Sequence, residues 1–221
     1  MTFKVVEKFV SINGEGLRAG QLAVFIRFAG CNLNCSYCDT MWANEKYVSY
    51  EEMSLEAIYH YIKSTKITNI TLTGGEPLLE THIEALLKTL AQDKELRVEI
   101  ETNGSIELRR FSQIDHPPSF TMDYKLPSSG MENKMLIDNF KYLTLKDTVK
   151  FVAGSKEDLE KAGEIINVFN LAGQTNLYIS PVFGKIAVES IVEFMKVHHM
   201  NGVNLQIQLH KVIWDVSQRG V

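Results

Sequence analysis

The chain has 221 residues, 45% of them hydrophobic, and a formal net charge of −4. That length supports one sizeable core, and the acidic balance excludes a nucleic-acid binder that relies on a broad basic surface. No apolar run approaches the roughly 20 residues of a membrane span, and the opening Met1-Thr2-Phe3-Lys4 lacks the apolar core of a signal peptide. Clustered cysteines with no export signal point to a reducing, cytoplasmic setting. No low-complexity tract, composition break or repeat divides the chain, so residues 1–221 are expected to form a single domain.

In chain order, runs rich in β-branched and aromatic residues predict strands at Leu22–Phe28, Asn69–Thr73, Arg97–Glu101, Ser119–Tyr124, Val149–Val152, Asn176–Ser180 and Val203–Leu209. Between them lie helical patterns at Ser54–Ser64, Leu79–Ala91, Lys156–Phe169 and Val188–His198. In the first of these, Leu55, Ile58, Tyr59 and Ile62 fall on one apolar face that covers a sheet. Strand and helix alternating in this way is the pattern of an α/β fold with a mainly parallel sheet. The connections after Glu101 and Tyr124 leave little room for crossover helices, which predicts an open, partial (β/α) barrel with trimmed helices.

All three cysteines, Cys31, Cys35 and Cys38, fall within eight positions. Their odd number and close spacing speak against a disulfide framework. Structural zinc and iron-sulfur clusters normally take four protein ligands, and structural zinc sites usually pair two clusters distant in sequence. Asp39 adjoins Cys38 as a conceivable fourth ligand. The arrangement otherwise fits a site-differentiated 4Fe-4S cluster with one iron left open to a small molecule.

Other motifs concentrate just after predicted strands, where α/β sheets and barrels place ligands. Thr73-Gly74-Gly75-Glu76-Pro77 could let backbone amides approach a ligand closely while Glu76 accepts hydrogen bonds from an ammonium group, or could be strand-to-helix punctuation. Asn103-Gly104 could be a simple turn, and Lys125 a solvated amine. Ahead of the cysteines stand Ser11-Ile12-Asn13-Gly14-Glu15-Gly16 and, on the strand that leads into them, Arg27. An arginine can hold a carboxylate through two parallel hydrogen bonds.

The C-x3-C-x2-C spacing followed by Gly-Gly-Glu-Pro strongly resembles the radical S-adenosylmethionine (SAM) superfamily. The resemblance implies a 4Fe-4S cluster on Cys31, Cys35 and Cys38 whose open iron chelates the methionine part of SAM. Cleavage of the sulfonium then gives a 5'-deoxyadenosyl radical. It further implies SAM contacts from Tyr37, Cys38, Asp39, Gly75, Glu76, Asn103 and Lys125, and an external electron donor such as flavodoxin or ferredoxin.

Within that superfamily, three segments resemble the 7-carboxy-7-deazaguanine synthase family: Ser11 to Gly16, Arg27-Phe28-Ala29-Gly30-Cys31 through Asp39-Thr40, and Gln208-Leu209-His210-Lys211-Val212-Ile213-Trp214. The likeness spans nearly the whole chain. It implies a 6-carboxy-5,6,7,8-tetrahydropterin substrate whose pyrimidine edge meets Ile12, Asn13, Gly14 and Glu15 and whose carboxylate is clamped by Arg27. Thr73, Gln208 and His210 join as further substrate contacts, with Lys211 beside them. Thr40 is expected to help hold a Mg2+ ion that also touches the substrate. Asn13 departs from the family's Gln, a side chain shorter by one methylene. The implied reaction contracts the pyrazine ring to a pyrrole, releases ammonia and regenerates SAM, with no catalytic protein residue beyond the cofactor. The family also implies a homodimer. Two other readings remain open at this point: a glycyl-radical enzyme activase, which shares the cysteine spacing, and a non-catalytic metal-binding or electron-transfer module.

Overall fold

A computed structural model of the chain describes residues 1–45, 47–215 and 218–221. Among them the elements run β1 (Thr2–Ile12), β2 (Leu22–Phe28), β3 (Glu51–Ser54), α1 (Leu55–Thr65), β4 (Asn69–Gly74), α2 (Ile83–Gln92), β5 (Arg97–Thr102), α3 (Arg109–Ser112), β6 (Ser119–Tyr124), β7 (Thr148–Ala153), α4 (Lys156–Val168), β8 (Asn176–Pro181), α5 (Val188–Val197), β9 (Val203–Leu205) and α6 (Leu209–Ile213). The strands form one open sheet in the order β3-β1-β2-β4-β5-β6-β7-β8-β9. From β2 to β9 each neighbouring pair is parallel, while β1 lies antiparallel to both β2 and β3. Only the four-residue α3 separates β5 from β6, and only 3₁₀ turns separate β6 from β7, as the short connections after Glu101 and Tyr124 implied.

The two faces of the sheet differ in chemistry because side chains alternate along each strand. Ile70, Leu72, Ile100, Phe120, Met122, Val149, Phe151, Leu177 and Ile179 point to the helical side and are buried there with Ile58 and Ile62 of α1, Leu86 and Leu90 of α2 and Leu159 and Ile166 of α4. Burying each such side chain contributes about 1.5–3 kcal/mol. The opposite parity is polar. Arg27 pairs in register with Thr73, Thr71 with Glu99, Glu101 with Thr121, and Asp123 with Lys150. A polar row across the inside of a parallel sheet is expensive to bury, and it marks the concave face as the place where a ligand goes.

Helix boundaries follow local chemistry. Ser54 caps α1 by accepting from the Ala57 amide, and Ser155 caps α4 by accepting from the Asp158 amide. The second predicted helix starts four residues later than expected, at Ile83, because Pro77–Leu79 forms a separate 3₁₀ turn capped by the Glu76 carboxylate. Two strands escaped the sequence reading. β1 carries Lys4, Glu7 and Lys8 among its apolar residues, and β3 is only four residues long. The predicted strand Val203–Leu209 is corrected: pairing stops at Leu205, and Leu209 begins α6, so Gln208 and His210 do not lie on a strand.

Candidate active site

A cleft opens over the polar face, lined by strand ends, the cysteine loop and the C-terminal segment. Its walls include Cys31, Cys35, Cys38, Tyr37, Asp39, Thr40, Arg27, Thr73, Gly75, Glu101, Asn103, Asp123, Lys125 and Lys150.

The cysteine loop is fastened at both ends. The Ser36 amide and hydroxyl donate to the carbonyls of Ser129 and Ser128, at 3.1 and 2.6 Å. Asn103 Nδ2 donates to Asn32 Oδ1 at 3.1 Å and to Cys31 Sγ at 3.5 Å, and the Leu33 amide reaches the same sulfur at 3.4 Å. Burial pushes the Cys31 and Cys35 thiols up, and the carboxylates of Glu76 beside Cys31 and Asp123 beside Cys35 add to it. A positive metal centre is what would hold such sulfurs as thiolates. Thr40 begins the 3₁₀ turn Met41–Asn44 but makes no side-chain cap. Its hydroxyl lies 3.7 Å from Cys38 Sγ instead.

The paired glycines serve the backbone. A Cβ on Gly75 would sit 2.1 Å from the Gly30 carbonyl oxygen and 2.2 Å from Asn44 Oδ1, and one on Gly74, at φ +155°, 2.5 Å from the Phe28 carbonyl oxygen. The Gly75 amide donates to Phe28 and the Glu76 amide to Gly30, so both are taken by the strand that delivers the cysteines. They are therefore not available to a ligand as the sequence reading expected. The Glu76 side chain also lies behind the cleft wall. It is buried, and it accepts from the amides of Leu78 (3.0 Å) and Asn103 (2.7 Å) and from the Thr102 hydroxyl. Burial pushes its carboxyl up to about 7 despite these donors.

On the far wall, Lys125 pairs with Asp123 at 2.9 Å, and Lys150 lies 3.7 Å from the same carboxylate oxygen and 2.9 Å from Glu15. Glu15 comes from the loop between β1 and β2. That loop is clamped by the C-terminal segment: Gln206 exchanges hydrogen bonds with both backbone groups of Gly16, and the Leu209 amide donates to the Gly14 carbonyl. Gly14 packs so closely on His210 that an added Cβ would meet Nδ1 at 2.6 Å. Gln208 Nε2 donates to Glu15 at 3.1 Å, Lys211 lies 3.3 Å from Asp39, and burial pushes the His210 imidazole down. Arg27 Nε donates to Glu7 at 3.0 Å, which fixes the plane of the guanidinium on the cleft wall.

A sequence-family model for the radical SAM superfamily matches residues 25–117. Over its full 221 residues the chain is 62% identical to the whole of the 7-carboxy-7-deazaguanine synthase of Clostridium acetobutylicum. The chain belongs to the 7-carboxy-7-deazaguanine synthase family. It is thus an enzyme of the radical SAM superfamily. The family's member from Leptospira interrogans is 37% identical, with 98% of this chain and 97% of the relative aligned. The crystal structure of QueE from Escherichia coli superimposes with a TM-score of 0.75 over 94% of both chains at 23% identity, a likeness of fold.

The residues present fit the cluster and SAM that the superfamily implies. Among the described residues no three His, Cys, Asp or Glu side chains converge on one point, as a mononuclear zinc or iron site would require. A 4Fe-4S cluster places its thiolates on different irons and makes no such demand. The N–H donors on Cys31, the buried Cys35 and the half-buried Cys31 and Cys38 suit its sulfurs.

Of the expected site residues, the cleft gathers all but two. Glu76 is one. The other is Asn13, whose side chain turns into the protein and accepts from the Thr71 hydroxyl at 2.8 Å while its amide and carbonyl close the β1–β2 loop on Gln21 and Gly20. Asn13 here shapes the loop that presents Gly14 and Glu15. The sequence reading missed Glu101, Asp123 and Lys150. Their signal was a charged residue at alternate positions in strands otherwise apolar, such as Thr148-Val149-Lys150-Phe151-Val152.

Proposed function

We propose that the cleft converts 6-carboxy-5,6,7,8-tetrahydropterin to 7-carboxy-7-deazaguanine with loss of ammonia, a step of deazapurine (queuosine) biosynthesis. The observation that carries this reading is that Arg27 and Glu15, suited to a small anionic heterocycle, share one cleft with the three cysteines. Cys31, Cys35 and Cys38 would hold the 4Fe-4S cluster, and Tyr37, Asp39, Gly75, Asn103 and Lys125 would line the SAM side. When bound, cluster and SAM together supply the one-electron chemistry that breaks an unactivated C–H bond.

The remaining work falls to the chain's own side chains. Arg27, oriented by Glu7, binds the pterin carboxylate. Glu15, with Ile12 and Gly14 beside it, takes an N–H of the pyrimidine edge. Thr73, Gln208 and His210 close around the ring and exclude water, which strengthens every polar contact inside. Thr40, with an uncapped hydroxyl, would contribute an oxygen to Mg2+, a hard cation that prefers such ligands and keeps several waters. An external electron donor, a homodimer and a cytoplasmic location complete the reading on family resemblance. No helix among the described residues is long and apolar enough to cross a membrane.

Turnover of anaerobically reconstituted enzyme with SAM, Mg2+, reductant and the carboxypterin tests the proposal. The expected result is an ultraviolet-absorbing deazapurine with no net loss of SAM. Stoichiometric SAM consumption without that product would overturn it and leave the activase reading. A colourless, zinc-loaded protein would leave the metal-binding module.

A further inference from the structure

We propose that Lys150 is a positioning residue for the substrate side of the cleft, fixing Glu15 as a charged acceptor by bridging it to Asp123 on β6. This rests on the reading above that Glu15 meets the pterin. Lys150 sits mid-strand on β7, on the concave parity, in register with Asp123. Its Nζ lies 2.9 Å from Glu15 Oε2 and 3.7 Å from Asp123 Oδ2, and Asp123 Oδ2 lies 2.9 Å from Lys125 Nζ. The side chains of Glu15, Lys150, Asp123 and Lys125 are 8%, 12%, 19% and 12% exposed, so charges alternate across a largely dry wall from the hairpin to the thiols. A lysine in the middle of a buried parallel strand is costly unless paired on this scale.

The donor count makes the role specific. A carboxylate offers about four lone-pair sites. Ser180 Oγ occupies one on Glu15 Oε1 at 2.9 Å, and Lys150 Nζ and Gln208 Nε2 occupy two on Oε2 at 2.9 and 3.1 Å. One site on Oε1 remains, so Glu15 accepts a single N–H from a ligand, in a direction that Lys150 and Gln208 fix from the other oxygen.

Burial alone would raise the Glu15 carboxyl, but the adjacent Lys150 ammonium and the hydrogen bonds hold it below the usual carboxylate range. Besides Lys150, the charged or titratable neighbour facing Glu15 is His210 on α6, with Asp39 and Lys211 beyond it; Asp123 and Glu101 face Lys150 from β6 and β5. Without Lys150, the largest opposition to the burial penalty on Glu15 is gone, and only the hydrogen bonds from Gln208 and Ser180 remain against it. Its carboxyl then rises, and a protonated acid presents a donor where the ligand needs an acceptor.

The test is the pH dependence of KM for the carboxypterin, measured on the reconstituted holoenzyme from pH 6 to 9, together with iron content and SAM affinity. Lys150→Met should raise KM about tenfold or more at the acid end, one tenfold step per pH unit below the shifted pKa, with recovery toward alkaline pH. Iron content and SAM affinity should hold. Lys150→Arg should restore the flat profile. A KM raised by one factor at every pH, or unchanged, would mean that Lys150 only fills space and would overturn the proposal. Should Lys150→Met lose its fold, the wild-type profile decides. An acid limb between pH 6 and 7 that disappears in Glu15→Gln would show Glu15 protonating beside an intact Lys150 and sink the idea; a flat profile supports it. Wild-type enzyme that makes no deazapurine defeats the assigned reaction, whereas normal wild-type turnover with an unaltered Lys150→Met defeats only the role of Lys150.

Discussion

The backbone amide of Asn103, after β5, donates a 2.7 Å hydrogen bond to the side chain of Glu76, after β4. The other carboxylate oxygen accepts from Leu78, and the Thr102 hydroxyl bridges the two oxygens. Asn103 then reaches Cys31, so Glu76 braces the cysteine loop from behind. Glu76→Gln would set an NH2 group against one of two opposing amide N–H groups. A buried donor left facing a donor costs about 1–3 kcal/mol, which lowers Tm by roughly 2–12 °C for a chain of this size. Thermal melting of the loaded enzyme checks this; an unchanged Tm would remove Glu76 from its bracing role.

Glu99 sits deeper on the concave face, 5% exposed, with Thr121 donating to one oxygen and no hydrogen-bond partner for the other among the described residues. Burial pushes its carboxyl from 4.5 up to about 7. Between those values the native state keeps a proton that the unfolded chain releases, so the unfolded state binds fewer protons and stability falls as pH rises. Melting curves from pH 5 to pH 8 should show Tm declining across that window, with a shallower decline in Glu99→Gln. A variant with the wild-type slope would refute the assignment.

Gly75→Ala forces a methyl group into the Gly30 carbonyl and Asn44, where an added Cβ has 2.1–2.2 Å. Because Gly30 precedes Cys31, the expected defect is in the metal site: iron per chain and the brown absorbance fall well below wild type. Gly163→Ala is the matched control. Its Cβ would meet nothing within 4 Å, inside α4, and alanine there should stabilise by about 0.5–1 kcal/mol with iron content unchanged. Equal iron loading in both variants would contradict the close-approach argument.

Arg27→Lys keeps the charge and loses the fork. The cluster ligands lie elsewhere, so iron content should match wild type, while losing a charge-assisted hydrogen bond worth about 1.5–3 kcal/mol raises KM for the carboxypterin roughly tenfold to a hundredfold. Glu7→Gln should raise it less, since it loosens the arginine without removing it. Steady-state kinetics read both, and full affinity in Arg27→Lys would end the carboxylate assignment.

Much of this was legible in the residue order. The apolar runs gave β2 and β6 to the residue, and the cysteine spacing singled out three residues that the fold brings to the wall of one cleft. What escaped depended on direction and distance. β1 was hidden because Lys4, Glu7 and Lys8 interrupt its apolar pattern, although Thr2–Val5 pair with β3 and Glu7–Ile12 with β2. Val203–Leu209 looks like one strand, yet Gln206 spends its side chain on Gly16 and the chain turns into α6. Asn13 and Glu76 sit in motifs that face the cleft, but which way a loop side chain turns is decided by partners far off in sequence, Thr71 for one and Asn103 for the other. Lys150 carried no motif at all and became visible only when β7 was laid beside β6.

The clamp between the β1–β2 loop and the C-terminal segment sets an order of assembly on the ribosome. Every expected cluster and SAM residue lies at or before Lys125, and the Ser128 and Ser129 carbonyls that fasten the cysteine loop follow directly after it. Glu15, made among the first residues, must wait for Lys150, Ser180 and Gln208 before it is held. The substrate side of the cleft is thus completed last in chain order, after the cysteine loop and the groups that fasten it.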